Sequence, residues 1–336
     1  MCETQHDPQT EGMRKFSCTA IALFTAVAAL SAHAADTPAY PVRPVRIIVA
    51  FAPGGGPDLV ARVIAQQLGP LWGQQIVVDN RAGAGGIVGT DLAAKAPADG
   101  YTWAMVSSSF VMTAGLHKSL PYNPVKDFAP VTLASLYPLI LVAHSSARVS
   151  SVQELITLSR KQPGLLNYAS SGNGTPSHLA AELFKSSTGV ELTHIPYKSA
   201  GFAVTDLLGG HIRLMFATLP SVLGHVKSGE LKALAIGSAK RVAELPNVPT
   251  IAESGVPGYE ASGWAGVLTP SGTPTAVIRK ISASITSVLQ NPDVQRRFAA
   301  QGATPASSTP AEFSEVIRAD LAKWAKVIRV TGIRVD

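Results

Sequence analysis

From Val45 almost to Ala239 the chain alternates between two kinds of apolar spacing. Short β-branched runs predict strands at Val45–Phe51, Gln75–Asp79, Thr102–Val106, Val131–Ala134, Leu139–His144, Leu166–Ala169, Leu192–Ile195, Ile212–Phe216 and Leu231–Ile236. Between them, apolar positions recur at helical spacing, as in Val60, Val63, Ile64, Leu68 and Leu71. Helices are therefore predicted to start near Pro57, Gly86, Ser151, Pro176, Ser199 and Pro220. Such alternation specifies an α/β fold built from βαβ units around largely parallel sheet. After a further strand at Trp264–Leu268, the pattern turns helical: Pro274–Leu289, Pro292–Gln301 and Pro310–Val327. The apolar stripes of this last part (Ile281, Ile285, Val288; Phe313, Ile317, Trp324) read as core packing. Each of the three prolines stands where a first helical residue is expected.

The strand ends carry the candidate chemistry. After the first strand comes Ala52-Pro53-Gly54-Gly55-Gly56-Pro57-Asp58, a glycine loop that opens a helix. Free N–H groups at a helix start, backed by the positive end of its dipole, favour an anion, and glycines let it approach the backbone. Similar junctions follow at Asp79–Gly86, Ser107-Ser108-Ser109, Ser170–Pro176 and Pro196–Gly201. In Ser170–Pro176, Thr175 stands as N-cap ahead of Pro176. All lie at the carboxyl ends of predicted parallel strands, the edge at which open α/β sheets bind ligands. Facing sets of helix starts across a cleft suit a small carboxylate or dicarboxylate. Asp58 falls in the first helical turn, where its charge complements the dipole; it also offers a partner for an ammonium group.

Composition narrows the function. Met13-Arg14-Lys15, the apolar run Phe16–Leu30 and Ala32-His33-Ala34 read as an export signal cleaved after Ala34, with residues 1–12 as an over-called start. The expected location is the periplasm. Cys2 and Cys18 both precede Ala34, so the mature chain is expected to hold no disulfide, thiol nucleophile or thiolate metal site. The formal net charge is +6; losing Arg14, Lys15, Glu3, Asp7 and Glu11 raises it to +7. That balance suits an anionic ligand or simple solubility. There is no basic stripe interleaved with aromatics, so nucleic acid is not an expected partner.

Enzyme motifs fail one by one. The first loop lacks the lysine spacing of a P-loop, and no G-x-G-x-x-G opens the first helix. Tyr168-Ala169-Ser170-Ser171-Gly172 resembles a nucleophile elbow, but Tyr168 replaces the first glycine. His178, His194, His211 and His225 are scattered, with no metal-ligand spacing. His178 reads as a packing residue. The chain is therefore expected not to be an enzyme and to hold no cofactor or metal; a serine hydrolase using Ser170 or Ser171 is the alternative.

Longer segments carry a family resemblance. They include Tyr40-Pro41-Val42-Arg43-Pro44, Val77–Asp91, Ala94–Thr102, Leu120–Val131, Tyr168–Phe184, His194–Gly210 and Leu245–Gly255. The chain resembles the solute receptors of tripartite tricarboxylate transporters, the Bug receptors, among the periplasmic binding proteins. The resemblance implies a two-lobed fold of type II, each lobe a mostly parallel sheet flanked by helices, with a cleft between. Lobe one is expected at 35–134 plus 256–336 and lobe two at 135–255, with crossings near Ser135–Pro138 and Ser254–Tyr259. It implies a monomer that captures a small carboxylate by hinge closure, without catalysis, and hands it to membrane permease subunits. Mono-, di- and tricarboxylates, amino acids and aromatic acids all remain candidates, and an orphan receptor that signals through a membrane partner is a further alternative. In the family, amides, hydroxyls and waters hold the carboxylate. Carried over by motif, the site is Phe51, Ala52, Pro53, Gly54, Gly55, Asp58, Ser107, Ser108, Ser109, Ser170, Ser171, Gly172, Thr175, Tyr197, Ala200 and Gly201. Ser199 stands where the family usually has glycine, Phe202 near a common proline, and Ala52 at a frequent proline.

Overall fold

Two triplets of parallel strands, joined by two antiparallel crossing strands, organise the chain. The computed structural model describes residues 40–333 together with Met1 and Glu3. The export signal and its cleavage after Ala34 lie outside the described residues. Pro41–Asp336 forms one unit.

In the first half, β1 (Val45–Val49) lies between β2 (Ile76–Asn80) and β3 (Thr102–Ser107), all parallel. Three helices follow these strands: α1 (Gly56–Trp72), α2 (Ile87–Ala94) and α3 (Ser109–Leu116). The third has almost no amphipathic contrast, because Phe110, Val111, Met112 and Leu116 are all buried. For that reason its apolar spacing does not mark it as a helix in the sequence.

The central strand β4 runs unbroken from Phe128 to Ala143. The sequence predicts two strands here, because Pro138 and the mixed stretch Ser135–Pro138 interrupt the apolar run. They are one strand, and the middle is where it leaves one lobe for the other. Phe128–Pro138 pairs antiparallel with β9 (Ser262–Pro270), whereas Leu139–Ala143 pairs with β7 (Leu214–Thr218) and β8 (Lys232–Ile236).

The second half repeats the plan of the first. Here β5 (Asn167–Ser170) lies parallel to both β6 (Thr193–Pro196) and β7. The helices are α4 (Val152–Lys161), α5 (Pro176–Thr188), α6 (Ala200–Leu208) and α7 (Leu219–Lys227). Alternate residues of β4 enter opposite cores: Leu139 and Leu141 pack with Tyr168, Phe184 and Phe216, Ile140 and Val142 with Ala203, Leu207 and Val222. Ile251, Val256, Tyr259 and Ala261 join the first of these cores, so the chain re-enters the first half at Ala261–Ser262.

The chain closes with α8 (Thr275–Gln290), α9 (Pro292–Ala300), a two-residue strand β10 (Thr304–Pro305) against β4, and α10 (Pro310–Thr331). Pro292 and Pro310 begin their helices, while Pro274 is the N-cap residue, one position earlier than expected. Phe313, Trp324 and Ile328 of α10 cover the first-half sheet against Trp264 and Leu268. Leu179, from α5 of the other half, is fully buried in this same cluster, so the two lobes touch. Burial of such a side chain contributes about 1.5–3 kcal/mol.

Candidate functional site

The loop between β1 and α1 forms one wall of the cleft between the lobes. Gly54 turns the chain with φ +85°, a left-handed conformation that favours glycine, and Gly55 is the helix N-cap. Asp58 braces the loop from behind. Its carboxylate accepts from the Gly54 amide (2.9 Å), Arg62 Nε (3.0 Å) and Asn80 Nδ2 (2.9 Å), and Asn80 Nδ2 also donates to the Phe51 carbonyl (3.0 Å). Burial alone raises the Asp58 carboxyl; the bonds from Arg62, Gly54 and Asn80 outweigh it and hold the group below its ordinary value. Asp58 is thus turned into the fold, buried behind the loop it braces and outside the cleft lining.

The opposite wall comes from the second lobe. The Ser170–Thr175 loop folds on itself: Thr175 Oγ1 donates to the Gly172 carbonyl (2.6 Å), and the Gly172 amide donates to Ser170 Oγ (3.2 Å). Thr175 is the N-cap residue of α5, as expected, but its side chain serves the loop rather than the cap. The Ser171 amide is taken by Ser177 Oγ at 2.9 Å. Tyr197 donates to Asp206 at 2.6 Å; burial and that carboxylate push its phenol up to about 12.

Between these walls lies a narrow cleft. Its lobe-one side is Phe51, Ala52, Pro53, Gly55, Gly56, Pro57 and Ser107; its lobe-two side is Ser171, Pro176, Ser199, Ala200, Gly201 and Thr218. Tyr137, from the middle of β4, forms the floor. No ionised side chain lines it. The space open to the centre of a water-sized sphere is about 50 Å³, room for a few waters at about 10–15 Å³ each. Helix starts converge there: α1 through Gly56 and α6 through Ala200 and Gly201, whose N–H groups lack intrahelical partners. The hydroxyls of Ser107, Ser171 and Ser199 add polar groups, and that of Ser199 has no partner among the described residues. The arrangement can hold an anion without a counter-charge, because fixed amides in a water-poor cleft attract strongly.

A second, wider chamber adjoins the first and shares Phe51 and Ser171 with it. It lies between Gly83–Gly86 and His117 on one side and Gly172, Asn173, Tyr197 and Lys198 on the other. Its space on the same measure is about 560 Å³.

Of the residues expected from the sequence, Phe51, Ala52, Pro53, Gly55, Ser107, Ser171, Ala200 and Gly201 line the narrow cleft, and Gly172 and Tyr197 line the wider chamber. Gly54, Ser108, Ser109, Ser170 and Thr175 line neither; they support the walls. Ser109 Oγ lies 2.9 Å from Ser107 Oγ, and the Ser108 amide donates to the Trp264 carbonyl (3.0 Å). The cleft lining also includes Ser199, within the Tyr197–Gly201 loop, and Gly56, Pro57, Tyr137, Pro176 and Thr218, which the sequence does not single out as site residues. Thr218 ends β7 and precedes α7, the same strand-to-helix junction that singled out the other loops. No periodic signal marks Tyr137.

Nor are all the histidines scattered. His178 and His194 stack with ring centroids 4.2 Å apart, and His194 stacks in turn on Tyr168 at 4.8 Å. Ser170 Oγ lies 2.6 Å from His194 Nε2, a serine–histidine pair outside the cleft lining; Ser170 is fully buried. Among the described residues, no three His, Cys, Asp or Glu side chains gather as a metal site would require.

Residues 60–333 match the family described as tripartite tricarboxylate transporter family receptor. The chain is 43% identical to protein BugT of Bordetella pertussis over 317 residues, 94% of this chain and 97% of that one. Among solved structures, it is similar to an R. palustris protein with adipate (37% identity, TM-score 0.85, 88% of this chain and 99% of that one). It is also similar to MatC from Rhodopseudomonas palustris with bound malate (30% identity, TM-score 0.81, 86% of this chain and all of that one). The periplasmic binding protein BugD shares 34% identity at a TM-score of 0.84. Its relatives are solute-binding receptors and not enzymes, and the chain belongs to the tripartite tricarboxylate transporter receptor family, the Bug receptors.

Proposed function

We propose that the chain captures a small organic carboxylate in the narrow cleft by hinge closure and delivers it to the membrane permease of a tripartite tricarboxylate-type transporter. The observation that carries this reading is a cleft walled by helix starts from both lobes and free of ionised side chains. A carboxylate there gains amide and hydroxyl donors while meeting no carboxylate that would repel it. Solved relatives with adipate and with malate support the ligand class. The binding set is the cleft lining, with Ser199 and Tyr137 added to the residues read from the sequence. Hinge closure is supported by the crossings, which are confined to the middle of β4 and to Ala261–Ser262. We place lobe two at residues 139–261, and export with cleavage after Ala34 and action as a monomer belong to the same reading.

A thermal-shift screen of adipate, malate, other mono-, di- and tricarboxylates, amino acids and aromatic acids tests it. A ligand at 100 times its dissociation constant adds about 2.7 kcal/mol of stability, a visible rise in Tm. No shift from any acid in the panel would sink the proposal.

A further inference from the structure

The Ser170–Thr175 loop is held by two imidazoles that the binding set does not include. The Gly174 amide donates to His178 Nδ1 at 3.2 Å. Nδ1 can accept only if it carries no proton, so His178 is the Nε2–H tautomer. Ser170 Oγ lies 2.6 Å from His194 Nε2 and accepts from the Gly172 amide at 3.2 Å. The Gly172 carbonyl, the other possible acceptor, stands farther off at 3.2 Å and already receives Thr175 Oγ1. The serine hydroxyl therefore donates to Nε2, and His194 is the Nδ1–H tautomer.

The surroundings favour neutral rings. They stack 4.2 Å apart, face to face, an arrangement that two cations would oppose. Tyr168 covers the other face of His194 and donates to Glu182, which is paired with Lys185. Burial lowers both imidazoles, with Lys185 acting in the same direction and Glu182 opposing it at His178; His194 falls to about 3. The pair resembles a catalytic dyad only in part. Its serine is buried outside the cleft, with its proton given to His194 and its oxygen committed to the Gly172 amide.

We propose that His178 and His194 are positioning residues for ligand capture: as neutral, opposite tautomers they fix Gly174 and, through Ser170, Gly172, and so set the lobe-two wall against lobe one. The stakes are visible at Gly85, where an added Cβ would stand 2.7 Å from the Asn173 carbonyl. The loop meets the facing lobe with no slack. This inference rests on the carboxylate reading given above.

Nitrogen-15 NMR of the ligand-free protein at pH 5.5 reads the tautomers directly. Two neutral rings of opposite tautomer are expected where a free histidine is mostly charged. A charged ring, or the same tautomer in both, overturns the proposal. Binding supplies the second arm, using adipate and malate first and then the rest of the panel. His178→Phe and His194→Phe keep the stack and remove the acceptor. Each is expected to weaken affinity about tenfold (about 1.4 kcal/mol), whereas His178→Asn and His194→Gln restore most of it. Wild-type affinity in both Phe variants overturns the inference alone. Silence of the wild type toward every acid overturns the carboxylate reading and this inference with it. The NMR arm needs no ligand, so it distinguishes the two failures even if a variant folds poorly.

Discussion

The ring of Tyr137 lies against the backbone of Gly263, its direct partner across the two strands that join the lobes. The phenol donates to the Trp264 carbonyl at 2.9 Å, so the ring is pinned at both ends. A Cβ at residue 263 would overlap it. The floor of the cleft thus depends on a glycine that lines neither the cleft nor the adjoining chamber.

Gly263→Ala is expected to push the ring toward the cleft. Overpacking of this kind costs about 1–3 kcal/mol, to be measured by urea unfolding. Carboxylate affinity should fall as well. Unchanged stability and affinity would show that the ring can move aside freely.

Gly55→Glu tests the lobe-one wall. The backbone there has φ −80°, ordinary for any residue, and an added Cβ meets nothing closer than 3.8 Å. The variant should fold with near-native Tm while its carboxylate repels the ligand. Calorimetry should show binding lost; retained affinity would falsify the site.

Asp58→Asn removes the charge that holds Gly54 and Arg62. Loss of such buried bonds costs about 1–3 kcal/mol. Because the native carboxyl sits below its ordinary 3.8, its stabilisation is full above that value and fades as pH falls further. The stability gap between wild type and variant should therefore be constant near neutrality and shrink below about pH 3.8 in acid titrations followed by denaturant unfolding.

The histidine stack predicts a second acid dependence of the same sign. His194 titrates at 6.5 when unperturbed and near 3 in the fold. Between these values the unfolded chain binds a proton that the native ring refuses, so stability rises with pH across that window. In His194→Gln this part of the slope should vanish. Parallel curves for the two proteins would place the sensitivity elsewhere.

Leu179→Ala bears on closure. The side chain belongs to lobe two but is buried in the cluster that includes Leu116, Trp324 and Ile328 of lobe one. Core truncations of this type cost about 2–5 kcal/mol, and here the cavity would open at the junction between the lobes. Small-angle scattering should show a larger radius in the ligand-free variant, with weaker capture. An unchanged radius would separate this side chain from the lobe equilibrium.

Much of this architecture can be read from the chain, and the limits have physical causes. The parallel triplets announce themselves because short strands buried on both faces leave short apolar runs between helical stripes, as at Val45–Val49 and Leu214–Thr218. Helix α3 does not, because a helix buried all round has no stripe. The single strand Phe128–Ala143 looks like two, because its middle residues lie at the cleft and at the crossing between the lobes. At the site, strand ends followed by glycine or serine identify the walls but not which atoms face inward. Asp58 and Ser170 sit in those loops yet turn away, and Tyr137 enters from a strand with no such mark. The proximity of His178 and His194 depends on the parallel pairing of β5 with β6, which brings His194 beside Tyr168.

The shared strand has a consequence for folding. Phe128–Ala143 closes hydrogen bonds in both lobes, so neither is a finished sheet without the other. A lobe expressed alone would carry an open, apolar edge of the kind that aggregates. The two halves should therefore melt together, in one cooperative transition.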